Sequence, residues 1–296
     1  MWLTPGAAAP PGGGERMLRA LSTHLFVNHR LTLDWLAKIE AAGIPAVEIF
    51  CAKQHFDYTD TGQVHDVAAW FADHNLQLRS LHSPLYKDYE WGRSRGGAAV
   101  NLAEPERVRR LESVDEVKRC LEVAEQLPFS YLVQHLGVPR EEFEEKKFDA
   151  AYASLETLHL FAKQRGVQIL LENIPNDLST PQRLLQFLQY TRMKELGICF
   201  DTGHAHLAGG VEADFEALRP LIVSTHVHDN RGQQDDHLFP FQGTISWESA
   251  MRALATANDA VPVQLEIRDH GDFPQPLEKA LETFRRLEEL ALAPKP

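Results

Sequence analysis

Six short apolar runs of this chain each end in a carboxylate or an imidazole: Leu81-His82, Val133-Gln134-His135, Leu171-Glu172, Phe200-Asp201, Thr225-His226 and Leu265-Glu266. Burying such groups without a partner is expensive. Strands that place several of them at the same end would share one compensating charge, and a divalent cation is the economical choice. Carboxylate oxygen mixed with imidazole nitrogen suits Mn2+, Co2+, Zn2+ or Fe2+, whereas an all-thiolate set would point to structural zinc. The strongest candidate metal ligands are Glu172, Asp201, His226 and Glu266. Alternation puts Leu170 with Glu172, and Gln264 with Glu266, on one face of their strands. A second ring follows: His82, His135, His204, His228, Asp235 and His237. In Asp201-Thr202-Gly203-His204 the imidazole falls one turn past the aspartate, where it can meet a metal or a substrate hydroxyl. His24, His55, His65 and His206 receive no assignment. Taken singly, a strand-end acid reads as a helix cap or an arginine partner, and a lone histidine as a packed one. Four at equivalent strand ends do not.

The elements that must carry these residues alternate from residue 19 onward. Arg19–Phe26, Ala46–Phe50, Leu76–Ser83, Tyr131–Gly137, Val167–Asn173, Leu196–Thr202, Ile222–His228 and Val261–Ile267 read as strands, short and rich in Val, Ile and Leu. Helical spacing lies between them, as in Leu33, Leu36, Ala37, Glu40 and Ala41, with Thr32 as the expected N-cap. Gly43, Gly166 and Gly197 follow three helices, as C-terminal caps do. Eight βα units predict an α/β protein with a (β/α)8 TIM barrel as one domain over residues 19–296, preceded by a Gly/Pro/Ala-rich disordered tail over 1–18. An open doubly wound sheet is the alternative, but the glycine-rich turn after a first strand is missing. In a barrel all strand carboxyl ends meet on one face, where the active site forms. Two connections are long. Pro84–Ala103, with Tyr86, Tyr89, Trp91, Arg93 and Arg95, suggests a lid; Asp229–Gly243 carries further ligands.

Composition narrows the class. The chain has 296 residues, 44% hydrophobic and 24% charged, without an apolar run long enough to cross a membrane. The first 16 residues lack the apolar stretch of a signal peptide. Three cysteines without a CxxC pair suggest a cytoplasmic protein. A net charge of -12 makes nucleic acid an unlikely partner, without forbidding a locally positive cleft.

The segments LHSPLY, VQHLG, LLENIPN, CFDTGHAH, THVHDN, DDHLFPFQGTISW and LEIRD resemble the xylose isomerase-like TIM-barrel superfamily, above all its sugar phosphate isomerases/epimerases. The superfamily also includes the abasic-site endonucleases of the endonuclease IV type. The resemblance spans nearly the whole chain after residue 19 and is specific for fold and metal site rather than substrate. It implies a divalent metal on Glu172, Asp201, His226 and Glu266, with Glu172 and Glu266 also acting as the acid/base pair. His204 would contact substrate oxygens together with His82 and His135, and Arg231 would take the place of a substrate-binding arginine. For the endonucleases, zinc ligands would fall on His82, His135, Glu172, Asp201, His204, His226, Asp235, His237 and Glu266. Two departures count against the nuclease: the first strand lacks a glycine-rich loop, and Glu48-Ile49-Phe50 leads into Gln54-His55-Phe56-Asp57-Tyr58. Pro240-Phe241-Gln242-Gly243 in turn replaces the Pro-Gly-x-Gly turn common in sugar enzymes.

The expected activity is metal-dependent isomerisation or epimerisation of a small sugar, sugar phosphate or polyol. One glutamate would remove the proton beside a carbonyl, and the cation would stabilise the enediolate. Phosphodiester hydrolysis at a multinuclear zinc site is the alternative, and a non-catalytic sugar or metal binder the third reading. Dimerisation through the outer helices is common in such relatives.

Overall fold

A computed structural model describes residues 17–90, 99–258, 260–269, 271 and 275–292. Eight strands run in chain order: β1 (Arg19–Ser22), β2 (Ala46–Phe50), β3 (Gln77–His82), β4 (Tyr131–His135), β5 (Gln168–Glu172), β6 (Gly197–Asp201), β7 (Ile222–His226) and β8 (Val263–Leu265). All pairings within the sheet are parallel, in the order β7-β6-β5-β4-β3-β2-β1-β8. The remaining seam is joined just past β7, where Val227 N donates to Gln264 O (2.8 Å) and Glu266 N to Val227 O (3.2 Å). The TIM barrel expected from the sequence is therefore present. Helices α1 (Leu33–Ala41), α2 (Thr61–Asp73), α3 (Arg107–Glu122), α4 (Glu145–Lys163), α5 (Pro181–Thr191), α6 (Thr202–Ala208), α7 (Val211–Leu218), α8 (Trp247–Leu254) and α9 (Pro276–Leu292) fill the connections. None of the described helices is long and apolar enough to cross a membrane.

Alternation explains where the core sits. Leu21, Val47, Ile49, Leu81, Leu132, Ile169, Leu171, Ile198, Phe200 and Leu265 belong to the one large cluster that packs the strands against the helices. The opposite faces point into the barrel, where Val133, Leu170 and Cys199 form a small apolar cluster. Below it, Arg79 lies over the Tyr131 ring (5.0 Å) and donates to Val223 O (3.3 Å) and Ala260 O (2.9 Å).

Two sequence expectations need revision. The first strand stops at Ser22, because Thr23–Phe26 coils into a 3-10 turn whose start Ser22 Oγ caps by accepting from His24 N. Gly43 (φ 74°) and Gly166 (φ 73°) do end helices in the left-handed region, but Gly197 does not. It is the first residue of β6, and a Cβ there would sit 2.7 Å from Leu170 and 2.8 Å from Val223. Close packing, rather than a turn, selects that glycine. Thr32 is the N-cap of α1 as expected, though its side chain makes no capping bond. Of the expected lid, Tyr86 bridges Ala99 in antiparallel fashion, while Trp91, Arg93 and Arg95 lie outside the described residues.

The long connection after β7 is pinned from beneath. Asp229 is fully buried, and its carboxylate accepts from Asn230 N (2.9 Å), Ile245 N (3.2 Å), Phe241 N (3.0 Å) and Trp247 Nε1 (2.8 Å). Asp229 and Leu238 also exchange both backbone hydrogen bonds, at 2.8 and 2.9 Å. Phe241 takes the left-handed conformation (φ 75°) that a glycine would adopt more easily. Its bond to Asp229 and the Arg286 guanidinium 3.7 Å from its ring hold it there. Asp229→Ala leaves these buried donors unpaired and is expected to cost about 3 kcal/mol, read as a lower urea midpoint with unchanged m-value.

Candidate metal centre at the barrel mouth

The inward faces stack two layers at the carboxyl end. Ser80, Val133, Leu170, Cys199, Ser224 and Gln264 form a lower layer, and His82, His135, Glu172, Asp201, His226 and Glu266 follow two residues later along the chain, with a stagger that sets His82 level with Val133 and Glu172 level with Cys199. Parallel register places Glu172 level with His135 and Asp201 level with His226. Residues up to 184 positions apart thus meet at one mouth. Helix α6 begins at once after β6, with Asp201 Oδ1 accepting from His204 N (2.7 Å), which brings His204 over the same mouth. The β7–α8 loop returns Asp235 and His237 to it.

Glu172 stands between two sets of imidazoles. Its Oε2 is 3.3 Å from His82 Nε2 and 3.2 Å from His135 Nε2. Its Oε1 is 3.2 Å from His204 Nδ1 and 3.3 Å from His226 Nδ1. His226 Nδ1 is also 3.3 Å from Glu266 Oε2. Farther out, His204 Nε2 and His237 Nε2 each lie 3.1 Å from Asp235 Oδ2. Among the described residues, donor atoms within 4.8 Å of one another form the sets His82/His135/Glu172, His82/His226/Glu266, Glu172/Asp201/His226/Glu266 and His204/His228/Asp235/His237. All nine residues of the endonuclease-type pattern are therefore brought together, with His228 beside them.

Two of these nitrogens are fully buried yet make no hydrogen bond: His204 Nδ1 and His226 Nδ1. Each has carboxylate oxygens within 3.5 Å, but at angles that do not make a bond. An orphaned buried polar atom is costly. Nitrogens and oxygens that crowd together without bonding converge on a shared point, as the donors of a cation do. Their chemistry, imidazole with carboxylate, fits a divalent transition ion.

The charges are tightly balanced. Burial alone would raise Glu172, but His226 and His135 outweigh it and hold the carboxyl well below its ordinary range. Burial would lower His204 and His226, yet both end well above the usual imidazole value, His204 through Asp201 and Asp235, His226 through Cys199, Glu266, Glu48 and Glu172. His237 rises to about 9, with Asp235 overcoming its burial. Glu266 differs: its burial wins and raises its carboxyl.

Three neighbours escaped the sequence reading. Glu48 is fully buried in the lower layer, and its carboxylate accepts from Ser80 Oγ (2.8 Å) and from His226 Nε2 (3.2 Å). A carboxylate can only accept, so this bond fixes the proton on Nε2 and frees Nδ1 toward the mouth. Phe50 stacks on His82 (4.4 Å), and His24, left unassigned by sequence, packs against both Phe50 and His237 at 4.7 Å. The signal for Glu48 was a lone acid inside an apolar strand. Arg231 sits apart from the cluster: its side chain is 62% exposed and pairs with Asp236 at 3.6 Å.

Comparison with known proteins places this geometry. The family described as xylose isomerase-like TIM barrel matches residues 36–290. The chain belongs to that family. The uncharacterized protein y4fM of Sinorhizobium fredii is 30% identical over 169 residues, 53% of each chain. A probable endonuclease 4 of Natranaerobius thermophilus is 35% identical over 184 residues, 55% of this chain and 64% of that one. The chain thus spans roughly half to two thirds of the curated relatives it matches here. Among solved structures, a D-tagatose 3-epimerase-like protein superposes with a TM-score of 0.73 at 23% identity, covering 93% of this chain and 98% of its own. That likeness shows the fold of the xylose isomerase-like barrel. Because relatives include probable endonucleases, the expectation that nucleic acid is an unlikely partner has no support.

Proposed function

We propose that this xylose isomerase-like barrel is a divalent-metal enzyme that hydrolyses a phosphoester, with nucleic acid bearing an abasic site as the first substrate class to try. One observation carries the reading. Both oxygens of Glu172 are taken up between two donor sets, His82/His135 on one side and His204/His226 on the other. A carboxylate so placed would hold a cation from each set, which would leave it a poor base. The ligands would be His82, His135 and Glu172 for one ion, Glu172, Asp201, His226 and Glu266 for a second, and His204, Asp235 and His237 for a third. Such ions supply Lewis-acid stabilisation of phosphoryl charge and lower the pKa of water. The chain's own groups do the rest. Glu48 holds the His226 tautomer, Phe50 and His24 wall the mouth, and Glu266, whose Oε2 is the oxygen by His226 and His237, would keep Oε1 to accept the proton of the attacking water. Oxygen adds to phosphorus, the ester P–O bond breaks, and the leaving alcohol takes up a proton.

Isomerisation of a small sugar is the second reading, favoured by the same Glu266 acting as the proton-transfer group beside a single-ion set. Free thiols at Cys51, Cys120 and Cys199 fit a reducing cytoplasm for either activity. The deciding experiment incubates the Zn2+- or Mn2+-loaded protein with an abasic-site duplex, a chromogenic phosphodiester and a ketose panel in D2O. Cleavage without deuterium incorporation is expected; deuterium beside a sugar carbonyl, with intact phosphoesters, would reverse the order of the two readings.

A further inference from the structure

His55, unassigned by sequence, is fully buried in the connection between β2 and α2. Its ring joins two segments of the chain. Nδ1 lies 2.6 Å from the carbonyl oxygen of His29, and Nε2 lies 2.9 Å from Thr23 Oγ1. A carbonyl only accepts, so Nδ1 carries the proton and Nε2 is the acceptor. The Thr23 hydroxyl must then donate to His55, and its oxygen in turn accepts from Phe50 N at 2.9 Å. Burial pushes the pKa of His55 down to about 4, which keeps the ring neutral and the direction of donation fixed at neutral pH. This short series ends on both rings of the mouth wall. Phe50 closes β2 and stacks on His82 at 4.4 Å. His24 follows Thr23 in the 3-10 turn, packs on Phe50 at 4.7 Å and meets His237 edge-on at 4.7 Å. The backbone of His55 is held separately, by Ala52, Leu31 and Gln63 Nε2, so its ring is not what keeps the loop in place.

We infer that His55 is a positioning residue: through the Thr23 hydroxyl it sets Phe50 and His24 against His82 and His237, and so aims two imidazoles that belong to separate donor sets. It touches neither of them. Groups behind a ligand that fix its orientation matter to a metal site almost as much as the ligand does. The consequence for metal rests on the proposed reading that the mouth holds divalent ions; the placement of the two rings does not.

Two variants cut the link at different atoms. His55→Asn keeps an amide donor for His29 O and removes the acceptor for Thr23. Thr23→Val keeps the shape of the side chain and removes the hydroxyl from both Phe50 and His55, while Thr23→Ser restores it. The first readout is the histidine ring signals in long-range 1H–15N spectra of the metal-free full chain. His55→Asn and Thr23→Val should both displace the signals of His82 and His237. Thr23→Ser should leave them at the wild-type positions, and the rings of His74 and His159, paired with Glu40 and Glu195, should stay put throughout. After loading with Zn2+ and removal of excess metal, the two cut variants should give up metal to a chromogenic chelator roughly 10-fold faster than the wild type. A lower melting temperature with the His82 and His237 signals in place would make His55 a structural residue alone and overturn the inference. Signals that move in only one of the two cut variants would do the same. Should His55→Asn fail to fold, Thr23→Val set against Thr23→Ser decides. Displaced rings in a protein whose wild type binds no Zn2+ would sink the proposed function and uphold the inference; hydrolysis by a wild type whose rings do not respond to either variant would do the reverse.

Discussion

Glu172→Gln is expected to abolish turnover, by on the order of 1000-fold or more, while leaving the barrel folded. The substitution keeps the shape of the side chain but removes the charge that faces four imidazoles at 3.2–3.3 Å. An amide oxygen can serve one donor, and the amide nitrogen turned to the other side repels a cation. Metal content, measured by mass spectrometry after desalting, should fall together with activity. Retention of full metal content with lost activity would instead make Glu172 a base and favour the isomerase reading. Glu48→Gln is the informative companion, because it weakens the hold on His226 without touching the mouth.

The second large effect is a reversal in how pH acts on stability with and without metal. In the metal-free protein, His204 and His226 sit well above their ordinary value and His237 is raised to about 9. A folded-state value above the unfolded one gives stability that is complete below about pH 6.5 and is lost as pH rises through the folded value. For His237 alone that loss amounts to about 3 kcal/mol between pH 6.5 and 9. His24 and His135, whose values are lowered, act below pH 6.5 and do not enter this window. Glu172 and Asp235, lowered as well, act in the acid range as pH falls through their folded values. Melting temperature in chelator should therefore drop by roughly 6–12 °C from pH 6.5 to 9. With Zn2+ the sign changes, because the cation competes with protons for the same nitrogens and binds better as pH rises. Thermal melts at four pH values, with and without metal, check both limbs. Parallel curves would mean that the imidazoles are not the metal donors.

What could be read from the chain follows from what depends on local pattern. Strand ends are marked by an apolar run that stops at an ionisable residue, and parallel register does the rest. That is why His82, His135, Glu172, Asp201, His226 and Glu266 were identifiable before any geometry. Glu48 was not, since its meaning lies in His226, 178 residues away across the barrel. Asp229 was hidden for a similar reason: only the folded-back loop brings Phe241, Ile245 and Trp247 to its carboxylate. Gly197 was misread because a glycine after a helix looks the same whether it turns the chain or lets Leu170 and Val223 approach. His24 follows a strand that ends earlier than its sequence suggests, so the turn that aims it at Phe50 had no signature.

Arg79 gives the barrel a floor. Its guanidinium is bonded to Val223 O and Ala260 O and lies over Tyr131, and above it Val133, Leu170 and Cys199 fill the interior. Among the described residues, the barrel is therefore plugged beneath the donor cluster. A ligand of that cluster would therefore have to arrive and leave on the side of the strand carboxyl ends. Inhibition by product should accordingly be competitive, and its strength will set how far a reaction can run before the site clogs.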